Sequence, residues 1–166
     1  MFHNNTCYAG CGILAANNSN ILLSANVIFE ENVADTFGGA VFTFSSAMKF
    51  DSTATFHNNW ATQGGALYLI TENIAALLLN SGAEINITGN YVSETGGAIH
   101  IQGGTLSCRL IASLTAAEFL LDLHTCFYQC VNEQACSKVL LQDNRAEIAG
   151  NAIYGAVQKC YYNYIL

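Results

Sequence analysis

Seven cysteines, four histidines and twelve acidic residues are the side chains of this chain that could carry chemistry. Their spacing decides which chemistry is open to them. Cys126-x3-Cys130-x5-Cys136 lacks the Cys-x2-Cys knuckle of a structural zinc site, so disulfides are expected there rather than a metal. Cys108, Cys126, Cys130, Cys136 and Cys160 can staple the segment they span to the C-terminal end, and Cys7 can pair with Cys11 across the first turn. The total is odd, so one thiol is left free or pairs elsewhere, and the connectivity stays open. The acidic residues fall singly, with only Glu30 and Glu31 adjacent. An enzyme acting on polysaccharides needs clustered carboxylates, for calcium or for acid/base work on a glycosidic bond. No catalytic residue, cofactor or metal is therefore expected. Asn4-Asn5-Thr6, Asn17-Asn18-Ser19 and Asn86-Ile87-Thr88 match the glycosylation pattern, which makes Asn4, Asn17 and Asn86 acceptors if the chain enters a secretory pathway.

The elements that hold these residues must come from an apolar chain. Of 166 residues, 52% are hydrophobic and only 10% charged, which is enough to build a sizeable core. There is no Pro, and 14 Gly with many Asn suit short strands joined by tight turns. Net charge is −7, and the basic residues Lys49, Arg109, Lys138, Arg145 and Lys159 are scattered, so no face is built to neutralise nucleic-acid phosphates. The start, Met1-Phe2-His3-Asn4-Asn5-Thr6, reads as no signal peptide. The apolar stretch from Leu110 to Leu123 is broken by Glu118 and Asp122 and is too short to span a bilayer. Cysteine at this density is more usual in an oxidising compartment, so the chain is expected to be a fragment of a longer secreted or cell-surface protein.

One phrase recurs: an apolar residue, two spacers and Asn, followed by a Gly-rich corner, Ala and a branched apolar residue. It reads Phe29-Glu30-Glu31-Asn32 with Gly38-Gly39-Ala40-Val41, Phe56-His57-Asn58-Asn59 with Gly64-Gly65-Ala66-Leu67, and Ile87-Thr88-Gly89-Asn90 with Gly96-Gly97-Ala98-Ile99. Weaker copies are Phe2-His3-Asn4-Asn5 with Cys11-Gly12-Ile13-Leu14, and Leu141-Gln142-Asp143-Asn144 with Gly150-Asn151-Ala152-Ile153. Asn5, Asn32, Asn59, Asn90 and Asn144 are 27, 27, 31 and 54 residues apart, and the last gap reads as two periods with one degraded copy. Such a period signals a solenoid.

Runs such as Val27-Ile28-Phe29, Ala40-Val41-Phe42-Thr43-Phe44 and Met48-Lys49-Phe50 alternate in polarity and predict about three short strands per unit. Stacked as coils about 4.8 Å apart, equivalent residues lie above one another. Phe2, Phe29, Phe56, Ile87 and Leu141 then form an internal apolar stack, and the five Asn form a hydrogen-bonded ladder. The Gly pair suits a corner needing positive φ or close approach between coils. Val41, Leu67, Ile99 and Ile153 are expected inside, with Ala40, Ala66, Ala98 and Ala152 at a sharp turn or on the outside. His3, Glu30 and His57 should line up on the solvent face, too far apart for one ion to bridge both histidines.

The pairing of Phe-x-x-Asn with Gly-Gly-Ala-Ile, Val or Leu resembles the repeats of the polymorphic outer membrane protein family. Three copies match both halves and two are partial, so the resemblance covers most of residues 2–153. It implies an all-β, right-handed, single-stranded parallel β-helix of the pectin-lyase-like kind, with about five to six rungs, on a secreted or surface-exposed protein that is often adhesive. No C-terminal transmembrane β-barrel is seen, so autotransport is not inferred. One domain is expected over 1–166: regular rungs over 1–107, a degenerate rung with a Cys-bearing loop insertion over 108–137, and a last rung over 138–166. Within the insertion the alternative is a short helix from Thr115 to His124. The function expected is a non-catalytic stalk or recognition surface, with a carbohydrate-active β-helix whose active-site rungs lie elsewhere as the alternative. Partners would be further rungs of a longer chain, and cell-surface protein or glycan.

Overall fold

A computed structural model describes residues 1–70, 83–102 and 141–151 throughout, together with the strands at 75–79, 105–107, 119–120, 138–140, 153–156 and 159–161. The chain is an all-β parallel β-solenoid, with about three turns described throughout and no helix among the described residues. The first coil holds β1 (Phe2–His3), β2 (Thr6–Ala9), β3 (Ile13–Ala15) and β4 (Asn20–Leu23). The second holds β5 (Val27–Glu30), β6 (Val33–Phe37), β7 (Val41–Phe44) and β8 (Ala47–Phe50). Then come β9 (Ala54–His57), β10 (Trp60–Gln63), β11 (Leu67–Ile70) and β12 (Ala75–Leu79), followed by β13 (Glu84–Thr88), β14 (Tyr91–Thr95), β15 (Ile99–Gln102) and β16 (Thr105–Ser107). After β17 (Phe119–Leu120), the strands β18 (Lys138–Gln142), β19 (Arg145–Ala146), β20 (Ile153–Ala156) and β21 (Lys159–Tyr161) complete the described elements.

Each coil carries four strands, where polarity alternation predicts about three. The Asn is a corner between two strands, and splits what reads in sequence as one run. The faces are β1-β5-β9-β13-β18, β2-β6-β10-β14-β19, β3-β7-β11-β15-β20-β17 and β4-β8-β12-β16-β21, each strand pairing in parallel with its neighbours. Phe2, Phe29 and Phe56 pair in register, and their rings stack face to face at 4.8 Å. Ile87 and Leu141 continue the column. Phe29, Phe56 and Ile87 are fully buried and Leu141 nearly so, in one core that also takes Met48, Phe50 and Ile101.

Two expectations about the wall need correction. Ala40, Ala66 and Ala98 sit at the sharp turn, one of the two places expected for them, and are fully buried in the core beside Val41, Leu67 and Ile99 rather than outside it. Strict alternation applies only within a strand, and these alanines sit at the corner just before one. Hydrogen bonds from the N–H groups of both Ala40 and Val41 to the Ala66 carbonyl hold that corner. In the first coil, Ile13 pairs with Val41, so Gly10 corresponds to Gly38 and Cys11 to Gly39; the sequence alignment of Cys11 with Gly38 is one residue out. Bulges on the β2-β6-β10-β14 face absorb the difference, because the Asn-to-Gly segment is one residue longer in some coils than in others.

Across the 54-residue gap no coil is inserted in the stack. β13 pairs with β18, β14 with β19, β15 with β20 and β16 with β21, so the coil ending near 107 lies directly on the coil beginning at 138. Of the intervening segment, Phe119–Leu120 pairs with the far side of β20, beyond the last coil. Residues 108–118 and 121–137, including Cys108, Cys126, Cys130 and Cys136 and most of the alternative helix, lie outside the described residues.

Candidate functional site

The Asn ladder is the most complete polar construction in the chain. Asn32, Asn59 and Asn90 are buried to 1% exposure or less. Each amide is saturated by the same set of bonds. Asn32 donates through Nδ2 to Asn59 Oδ1 at 2.9 Å and through its backbone N–H to the same oxygen at 3.1 Å. Its other Nδ2 hydrogen goes to the carbonyl of Phe2, the anchor one coil earlier, at 3.1 Å. Its Oδ1 accepts from the backbone N–H and Nδ2 of Asn5 at 3.2 and 2.8 Å. Asn59 repeats this with Asn90 and Phe29, and Asn90 with Asn144 and Phe56. The step from Asn90 to Asn144 is as short as the others, 2.9 Å between amides. Such a network replaces the water that buried amides would otherwise need.

One constraint is easy to miss in the sequence. The residue before each ladder Asn has positive φ: Asn4 53°, Glu31 53°, Asn58 52°, Gly89 65° and Asp143 55°. Four of the five are types that tolerate the left-handed region, which was the available signal; Glu31 is not.

His3, Glu30 and His57 do align outward with Thr88, as register demands. His3 approaches Glu30 at 3.6 Å and Glu31 at 3.9 Å, while His57 Nδ1 lies 3.0 Å from Thr88 Oγ1. Among the described residues, no group of three His, Cys, Asp or Glu side chains could hold a metal ion.

A second outward column was not anticipated. Phe42, Tyr68, His100 and Tyr154 follow one another on the β7-β11-β15-β20 face. Tyr68 and His100 stack at 4.4 Å between ring centres, His100 and Tyr154 lie at 5.1 Å, and Phe37 packs on Tyr68 at 4.6 Å. Although outward, Tyr68 and His100 are only 4% and 8% exposed. His100 Nδ1 is 3.0 Å from Thr95 Oγ1, and burial pushes its pKa down to about 4, against small opposing effects from Thr95 and Glu94. Burial, and then the charge of Glu94, raises Tyr68. This is a packed aromatic layer, not an open cleft.

Cys7 and Cys11 form a disulfide with a Cα–Cα distance of 5.3 Å. Asn4 and Asn17 are exposed at corners, whereas Asn86 is half-buried, its side chain pointing away from the core that takes Ile85 and Ile87. Cys160 lies in β21.

Residues 26–43 match the Chlamydia polymorphic membrane protein repeat. That span runs from β5 through ladder Asn32, the Gly38-Gly39-Ala40 corner and into β7, one copy of the phrase that the other coils repeat in register. No curated protein and no solved structure matches the chain.

Proposed function

We propose that this chain is a non-catalytic β-solenoid segment of a larger secreted or surface-exposed repeat protein, serving as a stalk or as an adhesion and recognition surface. The observation that carries the reading is the match over residues 26–43 to a repeat of polymorphic membrane proteins, a family of surface proteins. The residues of that repeat have architectural work in every coil: anchor in the core, Asn in the ladder, Gly at the corner. The Cys7–Cys11 disulfide supports an oxidising location. Parallel crossovers are right-handed in nearly all known cases, which supports a right-handed, pectin-lyase-like helix, and the five-stranded faces support five to six rungs. Its partners are further coils of the same larger protein, and cell-surface protein or glycan. Incubating the folded chain with a panel of acidic polysaccharides tests the non-catalytic reading. No release of unsaturated or reducing ends is expected, and such release would overturn it.

A further inference from the structure

The corner between β2 and β3 is built differently from those of the three coils that follow. Ile13 pairs with Val41, so Gly10-Cys11-Gly12 stands where the later coils have Gly38-Gly39-Ala40, Gly64-Gly65-Ala66 and Gly96-Gly97-Ala98. The β-carbon has moved one place, from the third position to the second. In the later corners a Cβ at the second position would collide with a carbonyl oxygen one coil on, that of Gly65 for Gly39 and of Gly97 for Gly65. At Gly12, the third position, a Cβ would lie 2.6 Å from Cδ1 of the Phe29 ring, although Ala40, Ala66 and Ala98 fit at that place in their own coils. The Cys-bearing corner has therefore shifted over the coil that follows it.

Its hydrogen bonds show the shift. In the later coils the second N–H donates to the first glycine's carbonyl one coil on, Gly39 to Gly64 and Gly65 to Gly96. Here that carbonyl, of Gly38, accepts from Gly10 N–H at 3.1 Å, and the same N–H reaches the Phe37 carbonyl at 3.0 Å. The disulfide is what holds the altered corner. Cys7 lies in register with the fully buried Ala34, and its bond to Cys11, four residues on, ties the strand to the corner. Cys11 Sγ rests 2.9 Å from the Val33 carbonyl oxygen at the start of β6, a packing contact, since a disulfide sulfur has no hydrogen to donate. Where the later coils fix this corner by close backbone approach, here a covalent bond that a reductant can cut fixes it.

We propose that Cys7–Cys11 is a redox-sensitive clamp. Oxidised, it fixes the Gly10-Cys11-Gly12 corner on the following coil; reduced, it frees β2 and β3 from β6 and β7 while the coils beyond stay stacked. The reductant is a dithiol. Its thiolate attacks one sulfur and the S–S bond breaks; its second thiol then resolves the mixed disulfide, leaving thiols on Cys7 and Cys11 and a disulfide on the reductant. Each coil rests mainly on its neighbours, which confines the effect.

Native-state hydrogen exchange of the full chain, read by mass spectrometry with and without dithiothreitol, tests this, and alkylation of the same samples shows whether Cys7 and Cys11 are bonded or free. Reduction should speed exchange in β2 and β3 at least about tenfold and leave β9 to β11 unchanged. Cys7→Ser with Cys11→Ser should exchange fast in both conditions. Cys7→Ala with Cys11→Gly and Gly12→Ala restores the Gly-Gly-Ala corner and should be protected in both. The five other cysteines are present in every variant, so a response to dithiothreitol in the restored chain equal to that of wild type overturns the clamp. So does unchanged wild-type exchange once both thiols alkylate, a pair that stays bonded in dithiothreitol, or a serine variant as protected as the oxidised chain. If the restored chain does not fold by circular dichroism, the serine variant makes the comparison alone.

Discussion

At the scale of single residues, position in the ladder sets the value of an asparagine. Removing the Asn59 side chain leaves the Asn32 N–H and one Nδ2 hydrogen without their acceptor, and takes the side-chain donor from the Phe29 carbonyl and from Asn90 Oδ1, which keeps only the Asn59 backbone N–H, all in a buried interior. Orphaned buried groups cost about 1–3 kcal/mol each, so Asn59→Ala should lose at least about 2 kcal/mol in a denaturant melt. Asn5→Ala, at the exposed end, should lose about 1 kcal/mol or less. Thr43 is the converse case, because its hydroxyl is fully buried without a hydrogen-bond partner among the described residues. Thr43→Val keeps the shape and removes the unpaired oxygen, and it should raise the melting midpoint by the equivalent of about 1 kcal/mol. His100 makes stability depend on pH. Its folded pKa of about 4 lies below the unfolded value of 6.5, so the unfolded chain binds the proton first. Its effect is absent above pH 6.5; stability falls between pH 6.5 and 4 by up to about 3 kcal/mol and then levels off. Melts across that window should flatten in His100→Gln.

At the scale of strands and corners, the unit of stability is a column running through the coils. Phe56 stacks on Phe29, meets Phe50 edge-on at 6.2 Å and is fully buried, so truncating it opens a void that neighbours in both adjacent coils line. Phe56→Ala should cost about 3–5 kcal/mol in urea unfolding. A near-neutral result would take the ring out of the core. The corners divide the labour of the glycine pair. Gly38 takes a φ of 59°, while Gly39 meets the backbone of the next coil and has no room for a Cβ. Glu31 takes the left-handed conformation without being glycine, asparagine or aspartate, and marks a corner imposed by the coils on either side of it.

At the scale of the whole molecule, each coil contacts mainly its neighbours, so stability is close to a sum over coils and interfaces. Burial follows this. Phe2, Ile13, Ile21 and Leu23 of the first coil are only partly buried, while Phe29, Val41, Met48 and Phe50 of the second are fully so. Opening should therefore begin at the N-terminal edge. Native-state hydrogen exchange should find amides of β1 to β4 less protected than those of β9 to β11, and uniform protection would contradict nearest-neighbour stacking.

The solenoid, the anchor column and the Asn ladder were legible in the sequence, because stacked coils put identical demands on equivalent residues and so write a period into the chain. Less was legible wherever the demand depends on what lies one coil away. The fourth strand hides because its corner breaks no run of polarity. Ala40 reads as a wall residue because alternation does not carry through a corner. The Tyr68–His100 layer has no period in residue type, and only the register brings it together. The gap from Asn90 to Asn144 counts as two periods along the chain, yet the two amides bond directly. Sequence by itself determined what each coil is made of; tertiary structure decided which coil lies on which, because stacking is a contact in space and residues two periods apart along the chain can lie in adjacent coils.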